Sequence, residues 1–328
     1  MAVPTTQKAI VIPDKGGREV IKYTEVPVPE VGEGDVLIKN EYAGLNFIDS
    51  YFRSGLYPIS YPYTAGREAA GTIVAIGSKV SKFAVGDRVA YMSTGAFAEY
   101  TSTAASGTVL KIPAGISTKT AAASLLQGLT AVTLVKEAYD VKKDDYVLVQ
   151  AAAGGMGLLL TQLCAGIGAH VIGTVSTAEK AALAKKAGAE TVINYAETPD
   201  YVGEVVKASE GKGVHVAFDG VGKATFDASI GALRRKGSMI SFGNASGSVP
   251  PVPLPVLTSK NLKLMRPTLF NYIAEEEELE YYSELLWKEV ASGVLDIAVY
   301  KEFGLAEYAD AAESLETRKS TGKVLLKI

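Results

Sequence analysis

Residues 146–176, YVLVQAAAGGMGLLLTQLCAGIGAHVIGTVS, restrict the fold more than any other part of the chain. An apolar run, Tyr146–Ala151, predicts a buried strand. It leads into a turn of small residues, Ala152-Ala153-Gly154-Gly155-Met156-Gly157. An apolar helix is predicted over Gly155–Ile167 and a second strand over His170–Val175. Glycines at such a turn permit tight reversal, close approach of pyrophosphate oxygens and close contact between helix and strand. The first helical N–H groups then face the phosphates, aided by the helix dipole. The spacing is A-x-G-G-x-G where the usual pattern is G-x-G-x-x-G, and the Ala152 methyl is expected to fit. Gly154, Gly155, Met156 and Gly157 are therefore expected to bind a dinucleotide, the alternative being a tight turn with no ligand.

The pattern around this unit is repetitive. Further strands are predicted at Thr191–Tyr195, His215–Asp219, Ser238–Phe242 and Asn261–Met265, with helices at Ala178–Lys186 and Thr225–Leu233. Apolar strands separated by helices call for a doubly wound parallel sheet covered on both faces. The first third differs. Lys8–Ile12, Asp35–Tyr42, Ala70–Ile76 and Asp87–Tyr91 are short strand candidates separated by glycines, as in a small barrel or bent sheet. Its character changes near residue 118. A helix is expected after Glu275–Glu278, and the isolated last strand, Lys323–Ile328, is expected to return to the N-terminal sheet.

Composition removes several functions. The 328 residues carry 33 Lys+Arg and 36 Asp+Glu, a formal net charge of -3, which offers no general attraction to a polyanion. RNA binding therefore has no support from charge. One cysteine and two histidines cannot build a Cys-rich metal site or a disulfide framework. No run of 18 apolar residues reads as a membrane span. The start, MAVPTTQKAIVIP, has no leader-like pattern, so a cytoplasmic location is expected, with the nucleus as a second compartment.

The tip of the second strand bears on which dinucleotide binds. An NAD site often places Asp or Glu there to accept from the ribose hydroxyls. This chain instead has Ser176 and Thr177 followed by Lys180, groups suited to a 2′-phosphate. That favours NADPH over NADH.

Ordered blocks along the whole chain resemble the zinc-free quinone oxidoreductases, of the zeta-crystallin type, within the medium-chain dehydrogenase/reductase superfamily. They are AGLNFIDSYFRSGLYP at 43–58, PYTAGREAAGTIVAIG at 62–77, VGDRVAY at 85–91, AAAGGMG at 151–157, VSTAEK at 175–180, VINY at 192–195, FDGVG at 218–222, SFGNASG at 241–247 and LETRKSTGKVLL at 315–326. The resemblance implies an α/β chain with a GroES-like β-rich catalytic domain over residues 1–125 and 267–328 and a doubly wound Rossmann domain over 126–266, the C-terminal tail returning to the first. It implies an NADPH-dependent quinone reductase, with reduction of activated alkenes such as enones, or an RNA-binding or structural role, as alternatives.

Where zinc alcohol dehydrogenases carry a Cys before an Asp and then a His-Glu pair, this chain has Asn46-Phe47-Ile48-Asp49 and Gly66-Arg67-Glu68, so no zinc is expected. The matching positions place Asn46, Asp49, Tyr51 and Tyr57 at the catalytic cleft. Asn46 is expected to hold a carboxamide or substrate oxygen, and Asp49 to anchor a water or donor. Arg67 is expected in an ion pair with Glu68 or Asp49. Lys180, Tyr195 and Arg318 are implied beside the adenosine 2′-phosphate. Gln127, Gly220, Gly222, Phe242, Gly243 and Asn244 are implied along the rest of the cofactor. The expected partners are a small planar quinone or enone and a second copy of the chain, with Val252–Leu257 near that interface.

Overall fold

Every strand of the parallel sheet ends where a loop must turn back over its face, so the loops collect along one edge. The computed structural model describes residues 3–328, which fall into two units, one of residues 3–126 and 299–328 and the other of residues 127–298. Met1 and Ala2, included in the expected first domain, lie outside the described residues.

The first unit is β-rich. Its elements are β1 (Thr6–Ile12), β2 (Lys22–Pro27), β3 (Asp35–Gly44), α1 (Phe47–Arg53), β4 (Tyr63–Thr64), β5 (Ala69–Ile76), β6 (Arg88–Met92), β7 (Tyr100–Ala104) and β8 (Thr108–Lys111). Helix α2 (Thr118–Thr133) begins in it, and the division between the units falls within that helix. The second unit contains β9 (Tyr146–Val149), α3 (Gly155–Ile167), β10 (His170–Val175), α4 (Ala178–Lys186), β11 (Thr191–Asn194), α5 (Tyr201–Ala208), β12 (Val214–Asp219), α6 (Phe226–Ala232), β13 (Leu233–Ser241), β14 (Lys263–Met265), α7 (Leu269–Tyr272) and α8 (Glu276–Ser292). The chain then re-enters the first unit as β15 (Val299–Gly304), α9 (Tyr308–Glu316) and β16 (Lys323–Lys327).

Strand order in the second unit is β11-β10-β9-β12-β13-β14, with every pairing parallel. The order reverses at β9, so the loops after β9 and β12 diverge and leave a crevice at the carboxyl ends of the strands. In the first unit, a sheet of order β15-β16-β3-β5-β6-β8 carries β7 on β3, and a small sheet β2-β1-β4 completes it. The last strand does return: Leu325 pairs with Gly44 and Leu326 with Ala43. Its side chains enter a core with Ile10, Ile38, Ile73, Phe97 and Tyr308. The second unit has a separate core of Leu148, Ile172, Val205, Ala217, Phe226 and Met239.

The expected domain boundary at 267 is corrected. Residues 267–298 stay with the dinucleotide-type unit, because α8 packs there through Leu286, whose Cδ1 lies 2.4 Å from where a Cβ on Gly128 would stand. Tyr282 on α8 also donates to the Glu137 carboxylate. Only the segment from Val299 onward returns.

The buried return strand makes a direct prediction. Leu326→Ala should cost the first unit about 2–5 kcal/mol, because the side chain has no exposure and its cavity has rigid walls. Urea unfolding monitored against the wild-type chain should show a lower midpoint, and an unchanged midpoint would refute the packing argument.

Candidate active site

The turn after β9 is held by contacts that only small residues allow. Ala151 takes a positive φ of 53° and its carbonyl accepts from Gly154 N at 2.9 Å. A Cβ on Gly157 would stand 2.2 Å from that same carbonyl, so the helix start and the strand exit touch through backbone. Ala152 is fully buried and fits, as its methyl was expected to. Helix α3 begins at Gly155 with Gly154 as its cap, no side-chain cap bond and no acidic residue in its first turn. The positive end of its dipole is therefore not neutralised by a carboxylate in that turn, as anion binding requires. Gln127 lies against this start, its Oε1 2.4 Å from where a Gly155 Cβ would be.

A buried hydrogen-bond chain braces the strand ends. Asp219, with no exposure, accepts from Val221 N, Gly222 N, Thr225 Oγ1 and Ser229 Oγ at 2.7–2.9 Å. Gln150 Nε2 donates to Ser229 Oγ at 3.0 Å, and Thr174 Oγ1 donates to Gln150 Oε1 at 2.5 Å. Thr174 Oγ1 also accepts from Ala151 N at 3.3 Å. The chain thus runs from the loop after β12 to the turn after β9. Gly220 and Gly243 meet in close approach: a Cβ on Gly243 would stand 2.3 Å from the Gly220 carbonyl, and one on Gly220 2.7 Å from the Phe242 ring.

At the tip of β10, Lys180 Nζ reaches Ser176 Oγ at 3.5 Å, and Thr177 caps α4 by accepting from Lys180 N at 3.3 Å. Tyr195 follows β11 and its N–H bonds to Val175 O at 3.0 Å, so its backbone adjoins this corner. Four predicted 2′-phosphate residues are therefore together. Arg318, the fifth, follows α9 in the other unit with a φ of 60°. After β13, the Asn244 amide presents its oxygen to Arg266 Nη2 at 2.9 Å and its nitrogen to Gly243 O at 3.0 Å. Arg266 also donates to Ser241 O and Gly243 O at 3.1 and 3.0 Å. Sequence reasoning missed Arg266, since no motif surrounds it.

The first unit concentrates buried charge at the start of α1. Asn46 caps this helix, and its backbone N–H donates to Asp49 Oδ2 at 2.8 Å. Its side-chain nitrogen donates to Glu68 Oε1 at 2.7 Å and its oxygen accepts from Lys323 Nζ at 2.8 Å. Lys323 and Glu68 also form a direct ion pair, with side-chain exposures of 2% and 0%. Leu126 N donates to Glu68 Oε2 at 2.8 Å. The Asn46 amide is engaged at both ends by its own unit, a structural duty that its expected substrate contact did not include.

Asp49 differs from its neighbours. It is 5% exposed, and its Oδ1 is buried without a hydrogen-bond partner. Burial pushes its carboxyl up to about 7, against the Asn46 N–H and the Lys323 charge, which favour the anion. Tyr51 and Tyr57 form an aromatic pair with centroids 5.2 Å apart, both partly exposed, and Tyr57 N donates to Tyr51 O at 3.1 Å. Lys323 pairs with Glu68, while Arg67 lies 5.4 Å from the Phe52 ring centroid and donates to Thr94. Asp49 still acts electrostatically on Arg67. Arg53 turns to Glu316, at 2.5 Å. His170 pairs with Glu190, and His215 Nδ1 accepts from Tyr146 N at 2.8 Å, away from the strands' carboxyl ends.

Two family models match: an alcohol dehydrogenase GroES-like domain over residues 32–114 and a zinc-binding dehydrogenase over 155–288. A probable quinone oxidoreductase of Schizosaccharomyces pombe is 44% identical over 312 residues, covering 95% of this chain and 94% of that protein. The Escherichia coli quinone oxidoreductase complexed with NADPH superposes with a TM-score of 0.95 at 41% identity, covering 98% and 100% of the two chains. This chain belongs to the zinc-free quinone oxidoreductases of the medium-chain dehydrogenase/reductase superfamily. A 2-haloacrylate reductase from a Burkholderia species is also similar, 36% identical over 327 residues, 97% of this chain and 98% of that one. Among the described residues, no group of three or more His, Cys, Asp or Glu is placed to hold a metal, and no helix is long and apolar enough to cross a membrane.

Asp49 carries a pH signature. Its folded value of about 7 exceeds its ordinary 3.8, so its contribution to stability is fully present below 3.8 and is lost as pH rises through about 7. Asp49→Asn should remove that decline. Thermal unfolding from pH 5 to 9 should show the wild-type chain losing stability relative to the variant, and parallel curves would contradict the raised carboxyl.

Proposed function

We propose that this chain reduces a small planar quinone with NADPH, the dinucleotide lying on the second unit and Asp49 of the first unit storing the proton. The uncapped start of α3 between Ala151 and Gln127 is the observation that carries the reading. Its residues fit a dinucleotide, because the glycine turn leaves room where a side chain would intrude and no first-turn carboxylate competes for the dipole. When bound, NADPH supplies a hydride, and hydride plus one proton converts a quinone to a hydroquinone.

The chain's own residues do the rest. Gly154, Gly155, Met156 and Gly157 hold the pyrophosphate through backbone. Ser176, Thr177, Lys180 and Tyr195 hold the 2′-phosphate. Gln127, Gly220, Gly222, Phe242, Gly243 and Asn244 line the remaining dinucleotide, with Arg266 fixing the loop after β13. The Tyr51–Tyr57 pair offers ring faces to a flat substrate. Asn46 fixes Asp49, and the Asp49 O–H bond breaks as a new O–H bond forms on the substrate oxygen, leaving the carboxylate to recover a proton from solvent. A homodimer accompanies this reading, with exposed Leu254 and Val256 near its interface and equilibrium ultracentrifugation as its test.

Anaerobic stopped-flow over a panel of quinones and enones provides the functional test. Quinone-dependent NADPH oxidation is expected, and oxidation only by enones would transfer the chain to the activated-alkene chemistry of its haloacrylate-reducing relative. Lys180→Glu should weaken NADPH by about tenfold or more while sparing NADH, since it replaces the cation beside Ser176 with an anion. Asp49→Asn should lower kcat by about 10²-fold and flatten the pH limb near neutrality, and retention of full activity would remove Asp49 from the proton path.

A further inference from the structure

A buried lysine at the start of an apolar return strand is unexpected, and a glutamate with no exposure is costlier still unless both are paired. Lys323 sits between Gly322 and Val324 in β16, and its ammonium crosses to Glu68 and to the Asn46 carbonyl oxygen. The Asn46 NH2 returns to Glu68, so three side chains close a ring. Asn46 in turn fixes Asp49 through its backbone N–H. Nothing in this ring needs substrate for its hydrogen bonds, yet through Asn46 it touches Asp49, a buried carboxyl with an unpartnered oxygen.

We propose that the buried Glu68–Lys323 pair is a positioning device for the reaction: it fixes the first turn of α1 and balances the charge felt by Asp49, and so sets the pH at which Asp49 surrenders its proton. The inference rests on the proton-storing role of Asp49 given above. The groups acting on or clustered with Asp49 are Lys323 from β16, Glu68 and Arg67 ahead of β5, Tyr63 of β4, Tyr308 of α9 and Arg53 on its own helix. Of these, Lys323 favours the Asp49 anion and Glu68 opposes it, so the two members of one ion pair pull in opposite directions.

The test uses the full chain labelled with 13C at the aspartate carboxyls, with Asp49 assigned as the signal missing from Asp49→Asn. Lys323→Gln should raise the Asp49 midpoint and Glu68→Gln should lower it, each by about one pH unit. The pH limb of quinone reduction should move in the same two directions. Midpoints that stay fixed, or move together, would overturn the proposal even if both variants lose stability. Midpoints that diverge in a chain with no quinone turnover would support the charge balance and reject the quinone reading instead. Should either variant fail to fold, the wild-type chain suffices. The 15N signal of the solvent-protected Lys323 ammonium should step at the Asp49 midpoint and lose that step in Asp49→Asn, and a signal flat in both chains would overturn the inference.

Discussion

A charge with no access to water must be matched atom by atom, and the Glu68–Lys323 contact meets that demand. Both Glu68 oxygens are used, one by Lys323 and Asn46 and the other by Leu126 N. Removing one partner of such a pair typically costs about 3–5 kcal/mol, because the survivor is stranded. The pair joins β16, α1, the segment before β5 and α2 at one point, so the closure of the first unit and the geometry of its reactive carboxyl have one origin. Gly44 shows how little tolerance remains: a Cβ there would stand 2.4 Å from Glu68 Oε1 and 2.6 Å from Lys323 Cε.

The second unit solves a different problem. It must present backbone N–H groups to an anion while keeping the strand ends rigid. The hydrogen bonds linking Asp219, Ser229, Gln150, Thr174 and Ala151 brace three neighbouring strand ends without placing a carboxylate in the first turn of α3. Asp219 has both carboxyl oxygens engaged by four hydrogen bonds, whereas Asp49 keeps one buried oxygen without a partner. The same residue type is thus structural in one unit and chemically poised in the other.

What the sequence makes legible follows the range of the interactions. Helices α3 and α4 and strand β10 occupy their expected residues because their caps and apolar periods are local: Gly154 and Gly168 bound α3, and Thr177 caps α4. Helix α5 was missed among polar turn residues around Asp200, although that aspartate caps it. Strand β13 begins at Leu233, earlier than expected, because a bulge lets Arg234 and Lys236 stay in the strand. The Glu68–Lys323 contact spans 255 positions, and no local pattern marks either residue as a partner. Arg67, adjacent to Glu68, was the natural guess. Glu68 is instead fully buried against Lys323, while Arg67 lies against Phe52.

The absence of zinc ligands at Asn46 and Arg67 changes what the first unit must supply during reduction. A ketone accepting hydride develops a localised alkoxide, which a bound metal stabilises directly. A quinone spreads the same charge through its ring, so timely proton delivery suffices. On the proposed reading, a carboxyl that burial raises to about 7 suits that task, because both forms are then populated near neutral pH. An ordinary exposed aspartate would be almost wholly ionised there and a poor donor. Burial alone would leave Asp49 too reluctant to ionise; the Asn46 N–H and the Lys323 ammonium draw it back toward neutrality of pH. The residue that closes the C-terminal strand onto the first sheet, Lys323, is thereby also one of the charges that act on Asp49.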